Sequence, residues 1–132
     1  MKSVKVVGAV IRNEENHILC ALRSPNMSMP NLWEFPGGKI EEGESPQASL
    51  LREIKEELDC TIEVLDFITE VQHPYPNILV HLLTYEARII DGIPQAKEHA
   101  RLEWISLTKL KELEWAPADI PTVEILLKKP TF

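Results

Sequence analysis

The chain has 132 residues and a formal net charge of −7, from 21 acidic against 14 basic side chains. That length predicts a single domain over residues 1–132 with a proper core, and the acidic balance argues against direct nucleic-acid or anionic-membrane binding, which needs a basic patch. Cys20 and Cys60 make neither a disulfide framework nor a CxxC metal pair, and the start Met1-Lys2-Ser3-Val4 enters a strand-like run too short for a signal peptide, so a cytoplasmic protein is expected.

Val4 to Ile11 and His17 to Arg23 read as aliphatic strands, joined through the polar turn Asn13-Glu14-Glu15-Asn16 into a predicted hairpin. Ser24 to Asn31, with two prolines and two methionines, reads as an irregular loop leading to Leu32-Trp33-Glu34-Phe35-Pro36-Gly37-Gly38. Ser45 and Pro46 suit the N-cap and first turn of a helix running to about Leu58. Thr61 to Val71 and Ile78 to Arg88 are predicted strands, separated by a turn-rich Gln72-His73-Pro74-Tyr75-Pro76-Asn77. A short strand over Leu102 to Ile105, a brief helix over Thr108 to Leu113 and a full one over Pro121 to Lys128 complete an α/β pattern.

The chemistry concentrates on the central helix. Glu53, Glu56 and Glu57 stand at i, i+3 and i+4 and share one face, while Leu51, Ile54 and Leu58 form the predicted apolar stripe. Like charges at this spacing cost an isolated helix roughly 0.2–0.5 kcal/mol per pair, which a bound cation would offset. Carboxylates without neighbouring Cys or His favour Mg²⁺, with Mn²⁺ as a substitute, over Zn²⁺. His17, His73, His81 and His99 are scattered, without HxxxH or HExxH spacing, and are assigned surface or strand roles.

Gly38, then Glu44, then Arg52-Glu53 and Glu56-Glu57 at fixed offsets make a pattern more specific than the helix alone. Residues 38–60 resemble the Nudix box, departing from it only near the end, where Asp59 replaces a glycine and Cys60 an aliphatic residue. Asp tolerates the left-handed conformation expected just past a helix, so the first change costs about 1 kcal/mol and removes no metal ligand. Cys60 is expected to fill core.

The resemblance implies a Nudix fold, an α/β/α sandwich with a central mixed β-sheet. It also implies a Mg²⁺-dependent hydrolase that cleaves a nucleoside triphosphate to monophosphate and pyrophosphate, working as a monomer or homodimer. By the same resemblance Glu53, Glu56 and Glu57 would hold metal, joined by a Gly37 or Gly38 carbonyl, and Glu44 would support the loop. Arg52 would brace the glutamates. MutT-like members carry a glutamate at the place of Glu98, as metal ligand or general base, a role Glu53 could fill instead. Arg23 matches a family position near the phosphates, and Trp33 and Phe35 are candidates to stack on a base or to fill core.

Asp119 bears on the base. It also suits a helix N-cap, whereas MutT-like enzymes that prefer oxidised guanine typically carry Asn at the matching place. An ionised Asp only accepts hydrogen bonds, and Ala116-Pro117-Ala118-Asp119-Ile120-Pro121 resembles the cytidine-triphosphate pyrophosphohydrolase branch. The expected activity is therefore MutT-like removal of oxidised nucleotides such as 8-oxo-dGTP, with a CTP or 5-methyl-dCTP pyrophosphohydrolase as the alternative. A non-catalytic Nudix nucleotide sensor is a third reading. Against it, the box glutamates are all present.

Overall fold

The computed structural model describes residues 2–128. In chain order its elements are β1 (Lys2–Ile11), β2 (His17–Leu22), β3 (Trp33–Glu34), β4 (Gly37–Lys39), α1 (Pro46–Leu58), β5 (Thr61–Tyr75), β6 (Ile78–Asp91), β7 (Arg101–Ser106) and α2 (Ile120–Lys128). Short 3₁₀ segments at Leu107–Glu112 and Pro117–Asp119 precede α2.

One sheet runs in the order β4-β1-β6-β5 and a smaller one in the order β3-β2-β7. The first is mixed: β1 lies parallel to β6 from Lys2 opposite Ile78 to Ile11 opposite Ala87, while the β1–β4 and β5–β6 pairs are antiparallel. Side chains along β1 alternate between faces. Val7, Ala9 and Ile11 pack with Leu50, Ile54 and Leu58 of α1, and Val10 joins Phe35, Trp115 and the α2 residues Val123 and Leu126. A helix thus covers each face of a central mixed sheet, the α/β/α arrangement expected.

Several local expectations need correction. The polar turn after β1 forms, with Asn13 Oδ1 accepting from the N–H groups of Glu15 at 3.0 Å and His17 at 2.9 Å. Yet the turn closes on one isolated bridge, Arg12 just past β1 opposite Ile18, and β1 and β2 belong to different sheets, so no regular hairpin results. The physical reason is competition: β1 finds a ladder along its whole length with β6 on one side and a short one with β4 on the other. Gln72 to Tyr75 is strand, and pairing continues to Tyr75 opposite Ile78, leaving only Pro76 and Asn77 in the turn. Pro74 is tolerated there because β5 is an edge strand. On α1 the buried stripe is Leu50, Ile54 and Leu58, spaced i, i+4, i+8, whereas Leu51 is 42% exposed.

Candidate active site

Helix α1 begins as its sequence dictates. The Ser45 hydroxyl accepts from the Ala48 N–H at 3.1 Å, Pro46 occupies the first turn, and Asp59 ends the helix at φ 57° and ψ 37° with its N–H donated to Lys55 O. Cys60, next in line, is buried in the core. With Leu50, Ile54 and Leu58 seated against the sheet, Glu53 turns toward β4 and the loop before the helix.

Arg52 ties that face together. Its Nε and Nη2 donate to the two oxygens of Glu44 at 2.8 and 2.9 Å, Nη1 donates to Glu53 Oε1 at 2.6 Å and Glu56 Oε2 at 3.3 Å, and Nη2 also reaches Lys39 O at 3.0 Å. Glu44 further accepts from the Ser49 hydroxyl at 2.7 Å and the Glu41 N–H at 3.0 Å. These bonds, Arg52 first, lower the Glu44 pKa to about 2. The loop and helix are thereby clamped by charge-assisted bonds.

Glycine is required where β4 meets the helix. A Cβ on Gly38 would collide with Glu53 Oε2, and one on Gly37 with the Val7 carbonyl. Burial raises the pKa of Glu53 despite its bond to Arg52. Glu57 is more perturbed: burial first, then the charge of Glu53, raise its pKa to about 7, with Glu98 and Glu34 adding and His99 opposing. Its Oε2 is buried without a hydrogen-bond partner. A desolvated, unpartnered carboxylate oxygen among other carboxylates is a place where a cation is favoured. Among the described residues, no ready-made cage of three or more acidic, His or Cys ligands exists, and Arg52 engages both Glu53 and Glu56.

A pocket of about 330 Å³ opens beside this cluster. Glu57, Gly37 and Gly38 line one side, and Arg23, Phe35 and Asp119 also reach it. Asp119 ends the 3₁₀ segment before α2, and its Oδ1 accepts from the Phe35 N–H at 3.4 Å across 84 positions of chain. It is buried, and desolvation followed by the nearby Glu34 charge pushes its pKa well up. Phe35 packs on Trp115 with ring centroids 4.7 Å apart, so it is both core and pocket wall.

A NUDIX domain model matches residues 2–125. The chain belongs to the Nudix family. It is 33% identical to the 8-oxo-dGTP diphosphatase of Escherichia coli (strain K12), covering 93% of this chain and 95% of that one. It is 35% identical to the CTP pyrophosphohydrolase of the same strain, over 96% of this chain and 93% of the relative. A solution NMR structure of MutT, described as a Nudix hydrolase, from methicillin-resistant Staphylococcus aureus 252 superposes with a TM-score of 0.80 at 44% identity, covering 98% and 99% of the two chains.

The Nudix box residues Gly38, Glu44, Arg52, Glu53 and Glu56 are joined by bonds or direct contact, and Glu57 lies within the field of Glu53. Glu98 is exposed on the segment between β6 and β7, close enough for its charge to act on Glu57. Trp33 does not line the pocket; it packs beside the second core cluster, with the Arg101 guanidinium 5.6 Å from its ring centroid. The surface or strand role assigned to His99 is wrong. It is buried, and its Nε2 donates to Glu34 Oε2 at 2.7 Å. Neither Glu34 nor His99 was selected from the sequence, and only the adjacency of His99 to Glu98 could have drawn notice.

The raised pKa of Glu57 has a thermodynamic consequence for this Nudix site. In the unfolded chain the group titrates near 4.5, in the folded protein near 7. Between these values the folded state holds a proton that the unfolded state has lost, so the contribution of Glu57 to stability is fullest below about pH 4.5 and is lost as pH rises to about 7. Thermal melts in EDTA should show this decline, and Glu57→Gln should make it shallower. Equal slopes would show that Glu57 ionises as freely in the fold as in water.

Proposed function

We propose that this protein is a Mg²⁺-dependent nucleoside triphosphate pyrophosphohydrolase of the cytoplasm, releasing monophosphate and pyrophosphate, and that it clears oxidised nucleotides such as 8-oxo-dGTP in the MutT-like manner. The observation that carries this reading is one pocket that joins a base-sized wall, Phe35 and Asp119, to Glu57 and the Gly37-Gly38 strand. The names of the two E. coli relatives point to the same class of reaction.

The donor chemistry suits a hard divalent ion. Glu53, Glu56, Glu57 and Glu98 would supply carboxylate oxygens and Gly37 or Gly38 a backbone carbonyl, and the orphaned Glu57 oxygen would gain the partner it lacks. When bound, Mg²⁺ would neutralise phosphate charge and orient the attacking water. The chain's own groups do the rest. Arg52 holds Glu53 and Glu44 in register, and Arg23 stands in the pocket wall to meet the phosphates. Glu53 or Glu98 takes the water's proton, and the pH–rate profiles of Glu53→Gln and Glu98→Gln assign which.

Asp119 supports the oxidised-guanine preference more than its sequence alone suggested. Burial and the Glu34 charge favour its neutral form, and a neutral carboxyl both donates and accepts, as an Asn amide does. The run Ala116 to Pro121 favours the second reading, a CTP or 5-methyl-dCTP pyrophosphohydrolase. Measurement of kcat/KM in Mg²⁺ for 8-oxo-dGTP, dGTP, CTP, dCTP and 5-methyl-dCTP, with pyrophosphate followed against phosphate, tests both. A leading 8-oxo-dGTP value supports sanitation, and leading cytosine values transfer the protein to the other branch. Asp119→Leu, which removes both donor and acceptor, is expected to reorder the panel by about 10-fold or more, in the range of discrimination a hydrogen-bonding site provides, whereas Asp119→Asn keeps both and should leave the ranking largely as it is; an unchanged ranking in folded Asp119→Leu would remove Asp119 from base reading. No hydrolysis of any member by folded protein would overturn the enzymatic reading in favour of a sensor.

A further inference from the structure

The wall between the base pocket and the segment carrying Glu98 holds a polar chain behind Arg23, and two of its members, Glu34 and His99, have no part in the reaction above. Arg23 Nη1 donates to Glu34 Oε1 at 2.7 Å, and the other Glu34 oxygen accepts from His99 Nε2, also at 2.7 Å. A carboxylate only accepts, so the imidazole hydrogen lies on Nε2. The His99 side chain is 1% exposed, although residues 95–98 before it and Ala100 after it are all exposed. Its Nδ1 is buried with no partner. A polar ring is thus taken into the interior from an exposed segment for the sake of one bond to Glu34, at a desolvation cost that apolar packing alone would not require.

Arg23 shows what that bond achieves. Its Nε donates to Ser28 O at 2.6 Å and Nη2 to Ser28 Oγ at 3.0 Å, so Glu34 supplies the third point that fixes the guanidinium plane. Two bonds from different residues leave the Glu34 carboxylate no free rotation. Without His99 one Glu34 oxygen would be free, and the carboxylate could turn away from Arg23.

We propose that His99 is a positioning residue for substrate binding, acting through Glu34 to hold the Arg23 guanidinium in the pocket wall. This rests on the proposed nucleotide hydrolysis for its kinetic arm only. His99→Leu keeps a buried side chain and deletes the bond, whereas His99→Gln places an amide N–H near the original Nε2. His99→Leu is expected to raise KM for the best substrate about 10-fold with kcat changed less than about threefold, and His99→Gln to recover most of the loss. In a Glu34→Ala background the same His99→Leu change should alter kcat/KM by less than about threefold, because the link is already cut. A substrate-free arm uses ¹⁵N spectra of the Arg23 Nε–H, which should lose protection from exchange in His99→Leu and keep it in His99→Gln. Unchanged Arg23 protection, or a His99→Leu effect of full size in the Glu34→Ala background, would overturn the proposal. Absence of turnover in the wild-type protein would instead count against the proposed activity, leaving the spectra to decide the role of His99.

Discussion

Glu53→Gln should lower kcat by roughly 10³-fold while the protein stays folded, a loss comparable with removing one preorganised electrostatic group from an active site. The reasoning is geometric. Glu53 has a side-chain exposure of 13%, lies against Gly38 and accepts from Arg52 at 2.6 Å. Glutamine fills the same space and its carbonyl oxygen can still accept from Arg52, so packing and the clamp survive. What disappears is one negative charge facing the Gly38 strand, where the proposed ion and phosphates meet. Steady-state kinetics in saturating Mg²⁺, with circular dichroism and melting temperature as controls, give the answer. Wild-type turnover in a folded variant would overturn the metal-site assignment, because the substitution removes the charge and replaces one ligand oxygen with an amide nitrogen that cannot bind a hard cation.

Arg52→Lys is expected to be the next most damaging, lowering kcat/KM about 10- to 100-fold, the usual range for a residue that orients ligands without touching the ion. The guanidinium spans Glu44, Glu53, Glu56 and the Lys39 carbonyl from one rigid plane. Lysine is a single point charge on a flexible stem and can satisfy one or two of those acceptors at a time. The charge balance is unchanged, so an electrostatic role limited to net charge would leave the rate near wild type. A large loss that excess Mg²⁺ only partly restores would identify geometry as what Arg52 provides. Both tests act on one helix face, so their effects are expected to be non-additive in the double variant.

The elements read correctly from the chain were those decided by neighbours in sequence. Ser45, Pro46 and Asp59 bound α1 because capping needs only the adjacent turn, and Asp59 adopts the left-handed conformation anticipated for it. Glu53, Glu56 and Glu57 share a face because helical spacing is fixed by the backbone. The spacing from Gly38 to Cys60 likewise carried the family, since the box is a continuous stretch.

What failed depended on partners far away along the chain. The turn at Asn13 to Asn16 forms locally, but whether β1 and β2 pair was settled by β6, which contributes residues 78–91. His99 looked like one of four scattered histidines, and its burial follows from meeting Glu34 across 65 positions. Asp119 could be seen as a helix cap or a base reader; the fold places it against the Phe35 N–H inside the pocket and strips it of water. Local spacing was thus enough for the family and the helix, and it brought Glu53, Glu56 and Glu57 to notice as candidates. Which of those carboxylates lose their water was settled by the fold, because desolvation requires walls from several segments at once, and no window of sequence contains them.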